Sequence, residues 1–329
     1  MVEASIVGTA RAAGRFRRGA IALGGVAILV LAIPGQADDT KKSGDASKAG
    51  RLLVQEHQAR SMKLLSVDPD TGESKPAGEF DSPGGKLSPD GRYLLRNHGR
   101  PGTPDEGLWI HDLAGKNPPR KVFDRFGIAS WPSQGDHIII GCFLAGGKYE
   151  TYRIKPDGTG LTRLTIPETD FVEDCSQDGA WIAAREKTDG RTRINVMHPD
   201  GSERHAVVDE PNMPSADYWF SPDGKKLAYV KIDVEDNMAR CSLWVVDAGG
   251  RERKQVPITF EPGLLVQFRW APDGHRFGIG LREQGAQRKA PAELADDRIV
   301  VVDIDGKNRR TLLSIPGAGP LRLFLLDWK

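Results

Sequence analysis

Residues 220–229 read FSPDGKKLAY. Pro222 suits the second position of a β-turn, Asp223 can accept hydrogen bonds from its own backbone, and Gly224 supplies a positive φ. Aromatic, β-branched and apolar residues flank the turn, so the stretch reads as a β-hairpin. Nearly the same unit stands at 87–95 (LSPDGRYLL), 131–140 (WPSQGDHIII), 175–184 (CSQDGAWIAA) and 270–279 (WAPDGHRFGI). The turn glycines fall at 91, 135, 179, 224 and 274, with spacings of 44, 44, 45 and 50 residues. One hairpin carries little information. A hairpin repeated at this period defines an architecture.

A second series of turns lies between the first: DPDTG (68–72), DLAG (112–115), KPDG (155–158), HPDG (198–201), DAGG (247–250) and DIDG (303–306). Each follows a short strand pattern, and most precede a basic or polar one. One period therefore holds four strands, A to D, with the first turn between A and B and the second between C and D. Four short strands in 40–50 residues mark a β-propeller blade. Such a sheet cannot bury both faces alone, whereas blades stacked around an axis can. The second series has six members and the first has five. The chain ends in LRLFLLDWK, with Trp328 in the slot that precedes every first turn. Leu321–Trp328 is thus expected to be strand A of a blade whose other three strands come from Arg51–Gly78. The fold class is all-β: a six-bladed propeller with one-plus-three closure.

An S-P-D-G hairpin after an aromatic residue, with D-x-D-G about 25 residues later, resembles the TolB-type (WD40-like) β-propeller repeat. The resemblance covers roughly residues 51–329. It implies a propeller that can bind protein segments at its mouth. TolB itself has an α/β domain before the propeller, where this chain is expected to have only a spacer.

The first 37 residues differ from the rest. Arg11, Arg15, Arg17 and Arg18 precede the apolar run AIALGGVAILVLAI (20–33), and small residues surround Ala37. This is the layout of a secretory signal cleaved after Ala37; an uncleaved anchor is the alternative. Residues 38–50, DDTKKSGDASKAG, read as a flexible spacer. The expected location is periplasmic or extracellular, with membrane contact only through an uncleaved N-terminal segment. The formal charge of the whole chain is +1; losing four Arg and Glu3 leaves +1 − 3 = −2. That balance argues against nucleic acid as a partner. Three cysteines, Cys142, Cys175 and Cys241, lie in or beside apolar strands without metal-ligand spacing and read as core thiols.

No nucleophile elbow, zincin motif, P-loop or C-x-x-C occurs. The turn aspartates have a structural explanation, since Asp at a turn binds backbone N–H groups. Function is therefore sought on the channel-lining A strands and on the variable B–C and D–A connections of the opposite face. Near the A-strand ends lie Glu173, Asp174, Asp217, Gln267, Arg269 and Asp327. Because side chains alternate along a strand, only some of them can face the channel. Two connections stand out as partner contacts: 232–242, with Asp233, Glu235 and Asp236, and 282–297, with Arg282 and Arg288. The expectation is a monomeric, non-catalytic binding or scaffold propeller without cofactor, capturing a protein segment or small ligand of the cell envelope at its channel mouth. The alternative is a metal-dependent propeller enzyme, a lactonase-like hydrolase or carbohydrate lyase, with carboxylates converging on a central Ca²⁺.

Overall fold

The computed structural model describes residues 50–57, 62–80, 84–100, 102–132, 134, 136–211, 217–235, 238–258, 263–283, 296–315 and 323–328, all within the compact unit Asp45–Lys329. Residues 1–37, expected to be a signal, nearly all of the expected spacer, Gly135, Asp236 and Arg288 lie outside the described residues.

The repeated turn forms as its chemistry dictates. Gly224 N donates to Ser221 O at 2.8 Å, with Gly224 at φ +68°. Asp223 Oδ1 accepts Lys225 N and Ser221 Oγ, and Ser221 Oγ in turn accepts Lys226 N. The same bonds recur at Ser88/Asp90 and Ser176/Asp178. These aspartates are held below the usual carboxylate range chiefly by hydrogen bonds, those of Asp223 acting against its burial.

The described strands form six four-stranded antiparallel sheets. Blade I pairs the C-terminal β24 (Leu323–Trp328) with β1 (Leu52–His57), β2 (Met62–Val67) and β3 (Ser74–Phe80). Blade II is β4 (Lys86–Leu87), β5 (Tyr93–His98), β6 (Gly107–Asp112) and β7 (Arg120–Phe123). Blade III is β8 (Ile128–Ser130), β9 (Ile138–Phe143), β10 (Tyr149–Ile154) and β11 (Thr162–Arg163). Blade IV is β12 (Asp170–Cys175), β13 (Ile182–Thr188), β14 (Arg191–Met197) and β15 (His205–Pro211). Blade V is β16 (Tyr218–Phe220), β17 (Lys226–Glu235), β18 (Met238–Asp247) and β19 (Arg253–Gln255). Blade VI is β20 (Gly263–Trp270), β21 (Arg276–Glu283), β22 (Asp296–Asp303) and β23 (Arg310–Ile315).

The closure is the one the turn count implies: Leu52 pairs with Trp328 and Glu56 with Leu323. First strands of successive blades contact one another, β8 with β12, β12 with β16, β16 with β20, β20 with β24 and β24 with β4, so they form the inner ring. Among the described residues, the apolar core divides into six clusters, one at each junction between neighbouring blades. Leu53, Leu64, Leu87, Leu94 and Leu326 form the cluster joining blades I and II, which seals the ring. Backbone proximity sets the junction of blades III and IV. A Cβ on Gly141 would stand 2.2 Å from Val172 O, so only glycine lets β9 approach β12 this closely.

Candidate functional site

Each blade places the residue two positions before its first turn on the inner ring: Lys86, Ser130, Asp174, Trp219, Arg269 and Asp327. All but Ser130 line a central cavity of about 320 Å³. Its rim is made of first-turn residues Pro89, Gln177, Pro222 and Pro272, with Trp270 and Trp328 on its wall. The cavity thus lies at the turn end of the channel, opposite the variable connections.

Most charges in this ring hold blades together. Asp174 is buried and accepts Ser130 Oγ of blade III at 2.9 Å and Phe220 N of blade V at 2.8 Å. Burial pushes its carboxyl up, against those hydrogen bonds and the charge of Lys86. Arg269 Nε donates to Leu326 O of blade I at 2.6 Å, and its Nη1 donates to Phe268 O at 2.6 Å. Trp270 Nε1 donates to Trp219 O at 3.0 Å, and Tyr218 OH donates to Phe171 O at 3.2 Å. Trp219 donates its own Nε1–H to Asp217 Oδ1 at 3.0 Å. The Arg269 guanidinium carbon is 4.0 Å from the Trp219 ring centroid. Lys86 Nζ, from the blade across the ring, is 4.4 Å from the same centroid. Trp219 therefore spans the channel as a platform for two cations.

Glu173 lies where β12 bulges, in the register shift between Val172 and Asp174. An extra residue in a strand re-aims its neighbours. The bulge brings Glu173 within electrostatic reach of Asp217 and Asp174 while Arg185 Nη2 sits 2.7 Å from Glu173 Oε1. Burial pushes the Glu173 carboxyl up to about 7, with the Arg185 charge opposing and the Asp217 and Asp174 charges adding to the rise. From about pH 4.5 to 7 the folded protein keeps a proton that the unfolded chain has released. Stability therefore falls as pH rises through that window, by on the order of 2 kcal/mol. Urea midpoints at pH 5 and pH 8 should show this fall in the parent protein and a flatter response in Glu173→Gln. Equal slopes in the two proteins would assign the titration to another group.

The sequence candidates separate into distinct environments. Glu173, Asp174, Asp217, Arg269 and Asp327 belong to the inner ring. Among the described residues, three buried acceptor oxygens there have no hydrogen-bond donor: Asp217 Oδ2, Gln267 Oε1 and Asp327 Oδ2. Asp217 Oδ2 is 3.8 Å from Arg269 Nη1. Of the connection residues, Asp233 is exposed on β17 and pairs with Lys231 at 3.3 Å. Arg282 is tied to the buried Asp297 of its own blade at 2.9 Å. The backbone of Glu235 pairs with Met238 at the end of β17.

Sequence reasoning passed over Lys86, Ser130 and Trp219. Aligning the repeats on the turn glycines would have found them, since they occupy one position in each blade. It also passed over the aromatic group at the connection end. There Phe143 packs against the buried Phe171 with the rings tilted by 34° and centroids 4.2 Å apart, and it meets Tyr149 edge-on at 5.7 Å. Phe143 is 61% exposed, and Ile128 on the neighbouring β8 is 38% exposed.

No protein-family model matches the chain, and no curated protein matches its sequence. Solved structures do match. A putative TolB from Agrobacterium tumefaciens is 19% identical with a TM-score of 0.61, covering 82% of this chain and 98% of that one. TolB from Acinetobacter baumannii is 15% identical with a TM-score of 0.62, covering 86% and 68%. An oligogalacturonate lyase in complex with manganese is 13% identical with a TM-score of 0.51, covering 82% and 74%. The likeness is one of fold: this chain has a six-bladed propeller like that of TolB proteins, and its fold is also similar to that of a lyase.

Proposed function

We propose that this protein is an exported, non-catalytic binding propeller that captures a protein segment of the cell envelope at the channel mouth formed by its B–C and D–A connections. The observation that carries the reading is the exposed aromatic step of Phe143 on Phe171 and Tyr149, beside the exposed Ile128. Exposed apolar groups gathered at one channel end suit an apolar anchor from a partner. Export rests on the basic, apolar and small-residue layout of residues 1–37.

The reading also works without a bound metal. Glu173 is engaged by Arg185, Asp174 by two donors and Asp217 by Trp219, so these carboxylates do not present a shared ligand set. Among the described residues, no group of three or more His, Cys, Asp or Glu is placed to hold an ion. Added Ca²⁺ or EDTA is expected to leave the thermal midpoint unchanged. A saturable rise with Ca²⁺ would instead favour the metal-dependent enzyme.

A photo-crosslinking residue in place of Phe143 tests the capture site directly. In cells, it is expected to trap one defined segment, identified by mass spectrometry. The same residue in place of Leu161, an exposed apolar position before β11 in the outer part of blade III, should trap none. Equal trapping at both positions, or none at Phe143, would overturn the proposal.

A further inference from the structure

The chain contains eight Asp-Gly dipeptides. In such a pair the glycine nitrogen can attack the aspartyl Cγ, because a residue without a Cβ leaves that nitrogen unhindered. Ring closure forms the Gly N–Asp Cγ bond and breaks the Cγ–OH bond of the protonated carboxyl. The hydroxyl leaves as water, taking the proton of the glycine N–H. Water then reopens the succinimide. Opening at Cγ restores aspartate, whereas opening at the aspartyl main-chain carbonyl routes the backbone through Cγ as isoaspartate. The first step needs both the nitrogen and the carboxyl to be free.

Seven of the eight pairs are held back by the turns that build the blades. They lie between strands A and B or between C and D. In each, the Asp Oδ1 accepts the backbone N–H two residues on, at 2.8–3.1 Å. In each, the glycine N–H donates to the carbonyl three residues back, at 2.8–2.9 Å. Both reacting groups are therefore committed. Asp189-Gly190 is built differently. It is the two-residue turn between β13 and β14, the B–C connection of blade IV. Asp189 has φ +53° and Gly190 φ +73°, the left-handed pair that a tight hairpin requires. Thr188 and Arg191 close the ladder, which leaves the Gly190 N–H outside it. Among the described residues, neither that N–H nor the Asp189 carboxylate makes a hydrogen bond, and both residues are exposed.

We infer that Asp189 is the site at which this protein forms isoaspartate spontaneously. Conversion lengthens the main chain by one carbon in a turn at the connection end of the channel, in the blade next to Phe143. The inference does not depend on what that mouth captures, so either reading can fail alone.

The test is a peptide map of the purified full chain, aged folded at physiological temperature and pH, with electron-transfer fragmentation to tell isoaspartate from aspartate. Asp189 is expected to convert about tenfold faster or more than each of the other seven, which must first break turn hydrogen bonds. In guanidinium chloride the fold no longer protects those seven, and all eight should convert at similar rates. Total isoaspartate, counted by enzymatic methylation of the new α-carboxylate, should mostly vanish in Asp189→Glu. That variant keeps the charge, closes a five-membered ring no longer, and should keep the parent's circular dichroism and urea midpoint. A smaller lead for Asp189 in the folded parent overturns the inference, as does a lead by another pair. So does an undiminished total in the folded variant, or the same lead for Asp189 in the unfolded chain, which would take the fold out of the account.

Discussion

Removing residues 320–329 should abolish cooperative folding. The deletion takes away β24, the inner strand of blade I, and leaves β1 at an open edge on the channel. Leu323, Leu325, Leu326 and Trp328 are each 3% exposed or less. At roughly 1.5–3 kcal/mol per fully buried apolar side chain, their loss costs about 6–12 kcal/mol. That range overlaps the entire stability of an ordinary domain, about 5–15 kcal/mol. The clusters joining blade I to blades VI and II would open together, because β24 contributes to both. Circular dichroism and urea unfolding would report the loss as a non-cooperative transition. A circular permutant is the control. Placing residues 320–329 before Arg51 through an S-P-D-G-K turn restores the hairpin that the other five blades have, and it should fold. If the truncated chain unfolds as sharply as the parent, the one-plus-three closure does not hold the ring.

The second large effect is expected at Asp174. Replacing it with Ala leaves Phe220 N and Ser130 Oγ without their acceptor inside the ring. The cost should be about 2–4 kcal/mol, from two orphaned buried donors. Asp174→Asn keeps one acceptor oxygen, and burial already favours the neutral form of the carboxyl at this position. It should therefore cost less than half as much as the Ala variant. Urea unfolding with unchanged m-values would measure both. If Asn costs as much as Ala, the carboxylate's attraction to Lys86 matters more than its hydrogen bonds.

These two predictions come from different levels of information. The closure was legible in the sequence because turns are local chemistry. Pro, Asp and Gly declare a hairpin within five residues, and their period counts the blades. Trp328 falls in the slot before an absent turn, so even the strand that joins the chain ends could be assigned. The structure pairs β24 with β1 as that reading requires.

The channel was legible only in part. Six candidates were named by proximity to strand ends, yet strict alternation could not sort them, because β12 bulges at Glu173 and β24 shifts register beside Asp327. A bulge changes which face a side chain meets and leaves no mark in a hydrophobic pattern. Lys86 and Trp219 are 133 residues apart and come from blades across the ring from each other. Their contact exists only because six blades close around one axis. The sequence by itself determined the blade, the blade count and the closure, since these follow from turn propensity and from the need of each sheet to bury both faces. Tertiary structure alone decided which charges meet across the ring and what each of them holds together, since that depends on distances that no local pattern encodes.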